Sequence, residues 1–219
     1  MRQRIGKICM VVGALLILGA LALMAYNQWD SNRADKASQE ALDKLETALT
    51  ETITENGDDA SSSLPAEEPE LDPTRPMTTA EIDGWEYIGY LSIPDAGLNL
   101  PVMAEWSYDG LKIAPGRYSG STYSDDLVIC GHNYAKHFSP IKWLDVGAPI
   151  YFTDMDGLRW SYEVASVEVV QPTQVERMIT PETDDAWDLT LFTCTTGGRA
   201  RCAVRCVRTG YPTAVETAE

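Results

Sequence analysis

Cys194 closes the run Leu189-Thr-Leu-Phe-Thr-Cys194 and is followed by Thr-Thr-Gly-Gly-Arg-Ala-Arg201. A thiol that ends a hydrophobic, β-branched strand and meets a Gly-Gly turn stands where a substrate can reach it. The arginine seven residues further on supplies a fixed positive charge. The chemistry this permits is nucleophilic. A thiolate attacks an electrophilic carbon, a base takes and returns the proton, and a cation steadies the developing oxyanion. Two histidines are available as that base, His132 and His137. His132 follows Cys130-Gly131 at the end of the apolar run Leu127-Val-Ile-Cys130. His137 lies in the polar stretch Asn133-Tyr-Ala-Lys-His137 and is expected at the surface or at the rim of a substrate groove. Arg199, Arg201 and Arg205 compete as the cation. On a strand Arg201 and Arg205 share one face, and Arg205 lies further from the Cys194 end.

The other cysteines are Cys9, in an apolar N-terminal segment, and Cys130, Cys202 and Cys206, in strand-like runs. The chain is large enough to bury a core without staples, so they do not read as a disulfide framework. In apolar strand interiors a cysteine behaves as a small hydrophobe. Cys202 and Cys206 cannot bridge each other along one strand, since four residues span about 13 Å. A bridge from Cys130 to either stays open. So does a Cys-His-Cys-Cys zinc site from Cys130, His132, Cys202 and Cys206, if their strands are neighbours. Asp154 and Asp156 read as a hairpin turn, with a calcium loop as the alternative.

Short strands at close spacing must position these groups. Tyr87–Ile93, Leu98–Met103, Asp126–Cys130, Pro149–Thr153, Leu158–Ala165, Glu168–Gln171, Leu189–Thr193 and Arg201–Val207 read as about eight strands. Brief helical signals fall at Ser139–Leu144 and Thr173–Met178. The pattern points to a mainly β domain, a barrel or a sandwich. Tyr123 to Asp126 and Trp187 are candidates either for a groove or for loop and core.

The appendages differ in texture. Residues 8–26 form an uncharged apolar run preceded by Arg2, Arg4 and Lys7 and followed by Trp29. Its length suits a bilayer, and the bases place the short N-terminus in the cytoplasm with the rest outside. A cleaved signal peptide is the alternative. Residues 30–84 hold 15 acidic against 4 basic side chains. Within them, Ala34, Ala37, Ala41, Leu42, Leu45, Leu49 and Ile53 recur at helical spacing, expected as a solvated helical stalk. Residues 56–76 read as a flexible acidic linker. The organisation is therefore residues 1–29 as cytoplasmic tip and membrane anchor, 30–84 as acidic stalk, 85–210 as catalytic domain and 211–219 as tail. A net charge of −16 argues against nucleic acid, whose phosphates need clustered Lys and Arg.

Taken together, the chain from Tyr87 to Arg208 resembles the sortases, Cys-dependent transpeptidases of Gram-positive surfaces. Ile88-Gly-Tyr-Leu-Ser-Ile-Pro94 with Leu100-Pro-Val102, then Gly131-His132, then Thr190-Leu-Phe-Thr-Cys194, then Arg201 follow the family's order. The resemblance implies a closed eight-stranded sortase-type β-barrel with short helices behind a transmembrane helix and a helical or disordered stalk. It makes Cys194 the nucleophile, His132 the acid-base group and Arg201 the cation, with Thr193 and Asn133 touching substrate. It implies cleavage of a sorting signal similar to Leu-Pro-x-Thr-Gly through a thioacyl enzyme, with no cofactor and no metal. The partners would be surface proteins with a C-terminal sorting signal and an amine of cell-wall precursor or a pilin lysine. The enzyme would sit in the cell membrane by a single span, its catalytic domain extracellular. The subclass reads as class B-like or another non-pilus type. Pilus-assembling members tend to carry an Asp-Pro-aromatic lid and a second span, whereas this chain has Asp72-Pro73-Thr74 and no later apolar run. A pilin polymerase, and a non-enzymatic tethered β-domain with a Cys/His zinc site, stand as alternatives. An L,D-transpeptidase is disfavoured because Phe192-Thr193 precede the cysteine where that family has Ser-His-Gly. The Cys-before-His order of papain-like hydrolases is excluded, since no histidine follows Cys194. Recognition of the motif is expected to rest on the loop between Gln171 and Asp188.

Overall fold

The computed structural model describes residues 2–56, 71–174, 176–179 and 187–215. Their elements are helix α1 (Arg2–Asn56), strands β1 (Ala80–Ile82), β2 (Trp85–Ile93), β3 (Leu98–Met103), β4 (Gly116–Ser119), β5 (Leu127–Gly131), β6 (Pro149–Asp154) and β7 (Leu158–Val170), helix α2 (Glu176–Ile179), and strands β8 (Leu189–Cys194), β9 (Arg201–Arg208) and β10 (Thr213–Ala214). Three 3-10 turns, at Pro94–Ala96, Gly110–Lys112 and Ser139–Trp143, join strands.

Eight strands close a ring in the order β2-β3-β4-β5-β8-β9-β7-β6 and back to β2. Closure removes free edges within the ring. Inward-facing residues such as Ile88, Leu91, Leu100, Ile129, Phe152, Leu191 and Val204 fill it around Trp160. β1 and β10 extend the sheet outside the ring, on β2 and β7. The expected count of eight holds, but two members differ. The separate runs Leu158–Ala165 and Glu168–Gln171 are one strand, β7, whose register shifts between Val164 and Ser166. That bulge interrupts the alternation that would mark a single strand. β4 was not expected. It is four residues long, and its parallel contact with β3 is the single pair Met103 and Gly116.

α1 is continuous from the apolar segment into the barrel. Side chains Ile8 to Trp29 are largely exposed, as suits a lipid-facing span. Beyond them Ser31, Ala34, Ser38, Ala41, Leu42, Leu45 and Leu49 form a buried stripe at helical spacing. Ala41, Leu45 and Leu49 pack on Tyr87, Met103, Ala114 and Met155 of the barrel. Each fully buried leucine contributes roughly 1.5–3 kcal/mol. The stalk is therefore not a solvated helix. Its apolar residues, too few for a core of their own, cover a barrel face that would otherwise be exposed. Residues 57–70 of the expected linker lie outside the described residues. Leu71 to Thr78 runs back along the barrel, where Arg75 Nη2 and Thr78 Oγ1 donate to the Asp156 carboxylate at 2.6 and 2.8 Å.

The β6–β7 connection is the hairpin turn. The Asp154 carboxylate accepts from the backbone of Asp156 (3.0 Å) and Leu158 (2.9 Å) and from Trp160 Nε1 (2.8 Å), so its oxygens are committed to the turn.

Candidate active site

β5 and β8 run parallel and side by side, with Gly131 opposite Thr193. The next residue on each, His132 and Cys194, therefore emerges at the same end of neighbouring strands, which lie about 4.8 Å apart. β9 returns antiparallel to β8 and pairs Arg201 with Cys194. The connecting Thr195–Ala200 loop is closed by Thr195 N to Ala200 O at 3.0 Å, with Gly197 and Gly198 both at positive φ. Those φ values are why this short return needs its Gly-Gly pair. His132, Cys194 and Arg201 all line one cavity of about 230 Å³.

Thr193 stiffens the junction beneath them. Its buried hydroxyl donates to Gly131 O at 2.8 Å and ties the ends of β5 and β8 together. Thr193 also lines the cavity. Asn133 does not; it is exposed and lies along a separate concavity between the His132 loop and residues 20–31 of α1.

His132 is half-buried, and burial pushes its imidazole below the usual range. The charge of Asp30 on α1 opposes this shift, and Lys112 adds to it. A neutral imidazole able to take a proton follows at neutral pH. His137 departs from its expected rim position. It is 0% exposed, because α1 lies across its loop. The Ala34 backbone faces the ring, neither nitrogen has a hydrogen-bond partner, and burial drives its pKa down to about 4. A buried ring of that kind is not the base of an open site.

Arg205 is taken out of the competition by its own bonds. Its side chain is 3% exposed, Nε donates to Glu168 at 2.9 Å, and Nη1 donates to Thr190 Oγ1 at 2.9 Å. It also donates to the backbone carbonyls of Arg177 and Met178 and lies 4.1 Å over the Trp187 ring. Arg205 thus ties α2, within the 171–188 loop, to Glu168 on β7 and Thr190 on β8, with Trp187 as its platform; residues 175 and 180–186 of that loop lie outside the described residues. Arg199 is exposed in the turn. Arg201 is half-buried and lines the cavity; its Nη1 donates to Gly198 O (3.3 Å) and Ala200 O (3.1 Å).

All five cysteines are free thiols. β8 lies between β5 and β9, so the strand adjacency that a zinc site from Cys130, Cys202 and Cys206 needs is absent. Among the described residues no group of three or more His, Cys, Asp or Glu side chains could hold a metal ion. Burial raises Cys130 to about 12, and raises Cys202 and Cys206 too, so none of them competes as a thiolate at neutral pH.

The cavity walls were not anticipated from the sequence. One is aromatic: Trp106 stacks on Tyr118 at 5.8 Å, and Tyr118 meets Phe192 edge-on at 5.3 Å. The other is Gln171, Pro172 and Met178, from the 171–188 loop. Tyr123, a groove candidate, packs instead against Trp160 in the core. The only signal for the aromatic wall is the density of rings between residues 106 and 118, which does not say which way they face.

The Sortase domain family model matches residues 91–209, more than half of the chain and all three strand-end groups. The chain belongs to the sortase family. It is 26% identical over 193 residues to sortase A of Bacillus anthracis, spanning 86% of this chain and 87% of that protein. In fold it is similar to the Clostridium perfringens sortase D5 transpeptidase, at 18% identity and TM-score 0.56, over 80% of this chain and 99% of that one. It is likewise similar to Streptococcus pneumoniae sortase C, at 23% identity and TM-score 0.55, over 80% and 100%. These sortases carry A, D and C designations, so similarity assigns no subclass. Family membership gives this chain a role in cell-wall sorting transpeptidation, and its apolar N-terminal helix fits the membrane anchor of a cell-surface enzyme.

Proposed function

We propose that this sortase cleaves a Leu-Pro-x-Thr-Gly-like sorting signal and transfers the released acyl group to an amine of cell-wall precursor. The observation that carries the proposal is convergence. Three residues separated by up to 69 positions, each chosen for its chemistry, line a single cavity. His132 takes the proton from Cys194 Sγ, and the thiolate attacks the scissile carbonyl carbon. The carbonyl π pair moves to oxygen, where the Arg201 guanidinium stabilises the charge. Collapse re-forms the carbonyl and breaks the C–N bond, and His132 donates its proton to the departing amine. The thioester at Cys194 is then opened by the incoming amine, whose proton passes to His132 and on to the sulfur. The aromatic wall, with Gln171, Pro172 and Met178 opposite, gives the cavity apolar surface against which the acyl chain of the thioester can lie.

The proposed topology is a single span at residues 8–26 with the barrel outside the cell. Residues 1–29, 30–84, 85–210 and 211–219 remain the proposed organisation. Within the stalk range β1 joins the sheet, and within the tail β10 does. Thr193 is proposed to act on substrate through its position, as its hydroxyl is engaged. Asn133 would contact substrate only beyond the cavity. A pilin lysine as acceptor remains the second reading of the amine.

The test is turnover of a peptide library with a varied five-residue motif and a supplied amine by the full chain. Transfer product and a thioester adduct on Cys194 are expected, and both should vanish in Cys194→Ala. Failure to process any peptide, with the protein folded, would overturn the proposal.

A further inference from the structure

α1 reaches the acid-base group itself. Asp30 is the first residue after Trp29, at the end of the apolar span. Its Oδ2 accepts the Tyr134 hydroxyl at 2.7 Å, while Oδ1 is held by Arg33 Nη2 at 3.0 Å and Nε at 3.3 Å. The Tyr134 ring lies 4.9 Å from the His132 ring on one side and 5.5 Å from the His137 ring on the other. The loop carrying all three is closed on itself by Phe138 N to His132 O and by His137 N and Ser139 N to Tyr134 O, each at 3.1 Å. The tyrosine is therefore a wedge against the imidazole, pinned from outside by a carboxylate that belongs to another element. The Tyr134 bond, then Arg33, hold the Asp30 carboxyl below the usual range, so it is charged wherever the enzyme works.

We infer that Asp30 is a positioning residue for His132, fixing the imidazole through Tyr134 and stabilising its imidazolium by charge. This rests on the transpeptidase reading, in which an imidazolium forms when Cys194 loses its proton and is consumed when the amine departs. The groups facing His132 are consistent with it. Asp30 comes from α1 with Arg33 behind it, and Lys112 comes from the 3-10 turn at Gly110–Lys112. Tyr134 and His137 come from its own loop, and Cys194 and Arg201 from the cavity. Of these, Asp30 is the carboxylate that favours the charged ring, against desolvation and Lys112. A helix that crosses the bilayer thus completes a site on the barrel.

The test uses the full chain in detergent micelles with isotope-labelled histidine. Only two imidazoles are present, so each can be titrated by NMR alongside the pH profile of peptide transfer. Asp30→Asn should move the His132 midpoint down by about half a pH unit, the size expected for one partly screened charge. The matching limb of the activity profile should follow, kcat should fall severalfold and KM should hold. Asp30→Glu should restore the wild-type midpoint. Tyr134→Phe should keep the ring contact but loosen the imidazole, lowering kcat with a smaller change in midpoint. An unchanged midpoint in folded Asp30→Asn, or equal losses in Asp30→Asn and Asp30→Glu, would overturn the inference. Should Asp30→Asn not fold, an unaltered kcat in Tyr134→Phe overturns it. If wild-type protein processes no peptide, the transpeptidase reading fails while the titration still decides the role of Asp30.

Discussion

Acidification should loosen this protein through a histidine that takes no part in the chemistry. His137 is fully buried under α1, without a hydrogen-bond partner, and its pKa falls from 6.5 to about 4 because burial disfavours the charged ring. Between those two values the unfolded chain binds a proton that the folded chain refuses. Its contribution to stability is therefore complete above pH 6.5 and is lost as pH falls toward 4. The difference of about 2.5 units corresponds to roughly 3 kcal/mol by pH 4, a large share of an ordinary folding free energy. The comparison to make is wild type against His137→Phe, which fills a similar volume and cannot titrate. Denaturant unfolding of the full chain in micelles, followed by near-UV circular dichroism from pH 7 to pH 4, gives both curves. His132, lowered by burial, and Glu46, Asp125 and Asp154, raised by burial, also bear on this range, whereas Asp30, Asp72 and Asp109, lowered by their hydrogen bonds, titrate below it. They act in both proteins and drop out of the difference. The wild type should lose stability faster by roughly 3 kcal/mol over this span, with the α1 amides near Ala34 losing exchange protection first. Parallel pH curves for the two proteins would refute the reasoning.

Iodoacetamide at neutral pH should alkylate Cys194 well ahead of Cys130, Cys202 and Cys206, as read by peptide mapping, because burial keeps those three protonated. Gly131→Ala should cut transfer by about a hundredfold, since its Cβ would lie 2.7 Å from the buried Phe138 ring and the adjoining His132 must move. Its unfolding midpoint should change far less than its rate. Leu45→Ala should cost about 2–5 kcal/mol in denaturant titrations by opening a cavity between α1 and the barrel. Arg205→Met should raise KM for peptide more than it lowers kcat, as it releases the 171–188 loop and leaves Glu168 without its 2.9 Å partner. Equal losses in kcat from Arg205→Met and Arg201→Met would contradict the division of roles drawn between them.

The strand ends were legible because the sequence marks them twice. Apolar, β-branched runs stop at Gly131 and Cys194, and turn residues follow. Convergence of His132 with Cys194 needed one further fact, the parallel pairing of β5 with β8 across 62 residues, which no local pattern encodes. Residue type alone left Arg201 and Arg205 in competition, since both lie on one strand face, and the family resemblance favoured Arg201. The packing of Glu168, Thr190 and Trp187 around Arg205 supports that choice. The stripe Ala34–Leu49 was visible, but a helical stripe does not name what it covers. His137 misled because its neighbours are polar, and the helix that buries it lies a hundred residues away in sequence.

The unbroken α1 also sets where the enzyme can work. On the proposed topology its apolar segment is fixed in the bilayer, and the same rigid rod is clamped to the barrel from Ser31 to Leu49. A flexible tether would let the active site sweep a volume of outer space. Here the cavity instead rides at a constant height, within about a helical turn or two of the lipid surface, since Asp30 contacts the loop that carries His132. Encounter then becomes a two-dimensional search. Substrates still held in the membrane arrive at the correct level by lateral diffusion, and a chain already released from it would find the cavity only by chance.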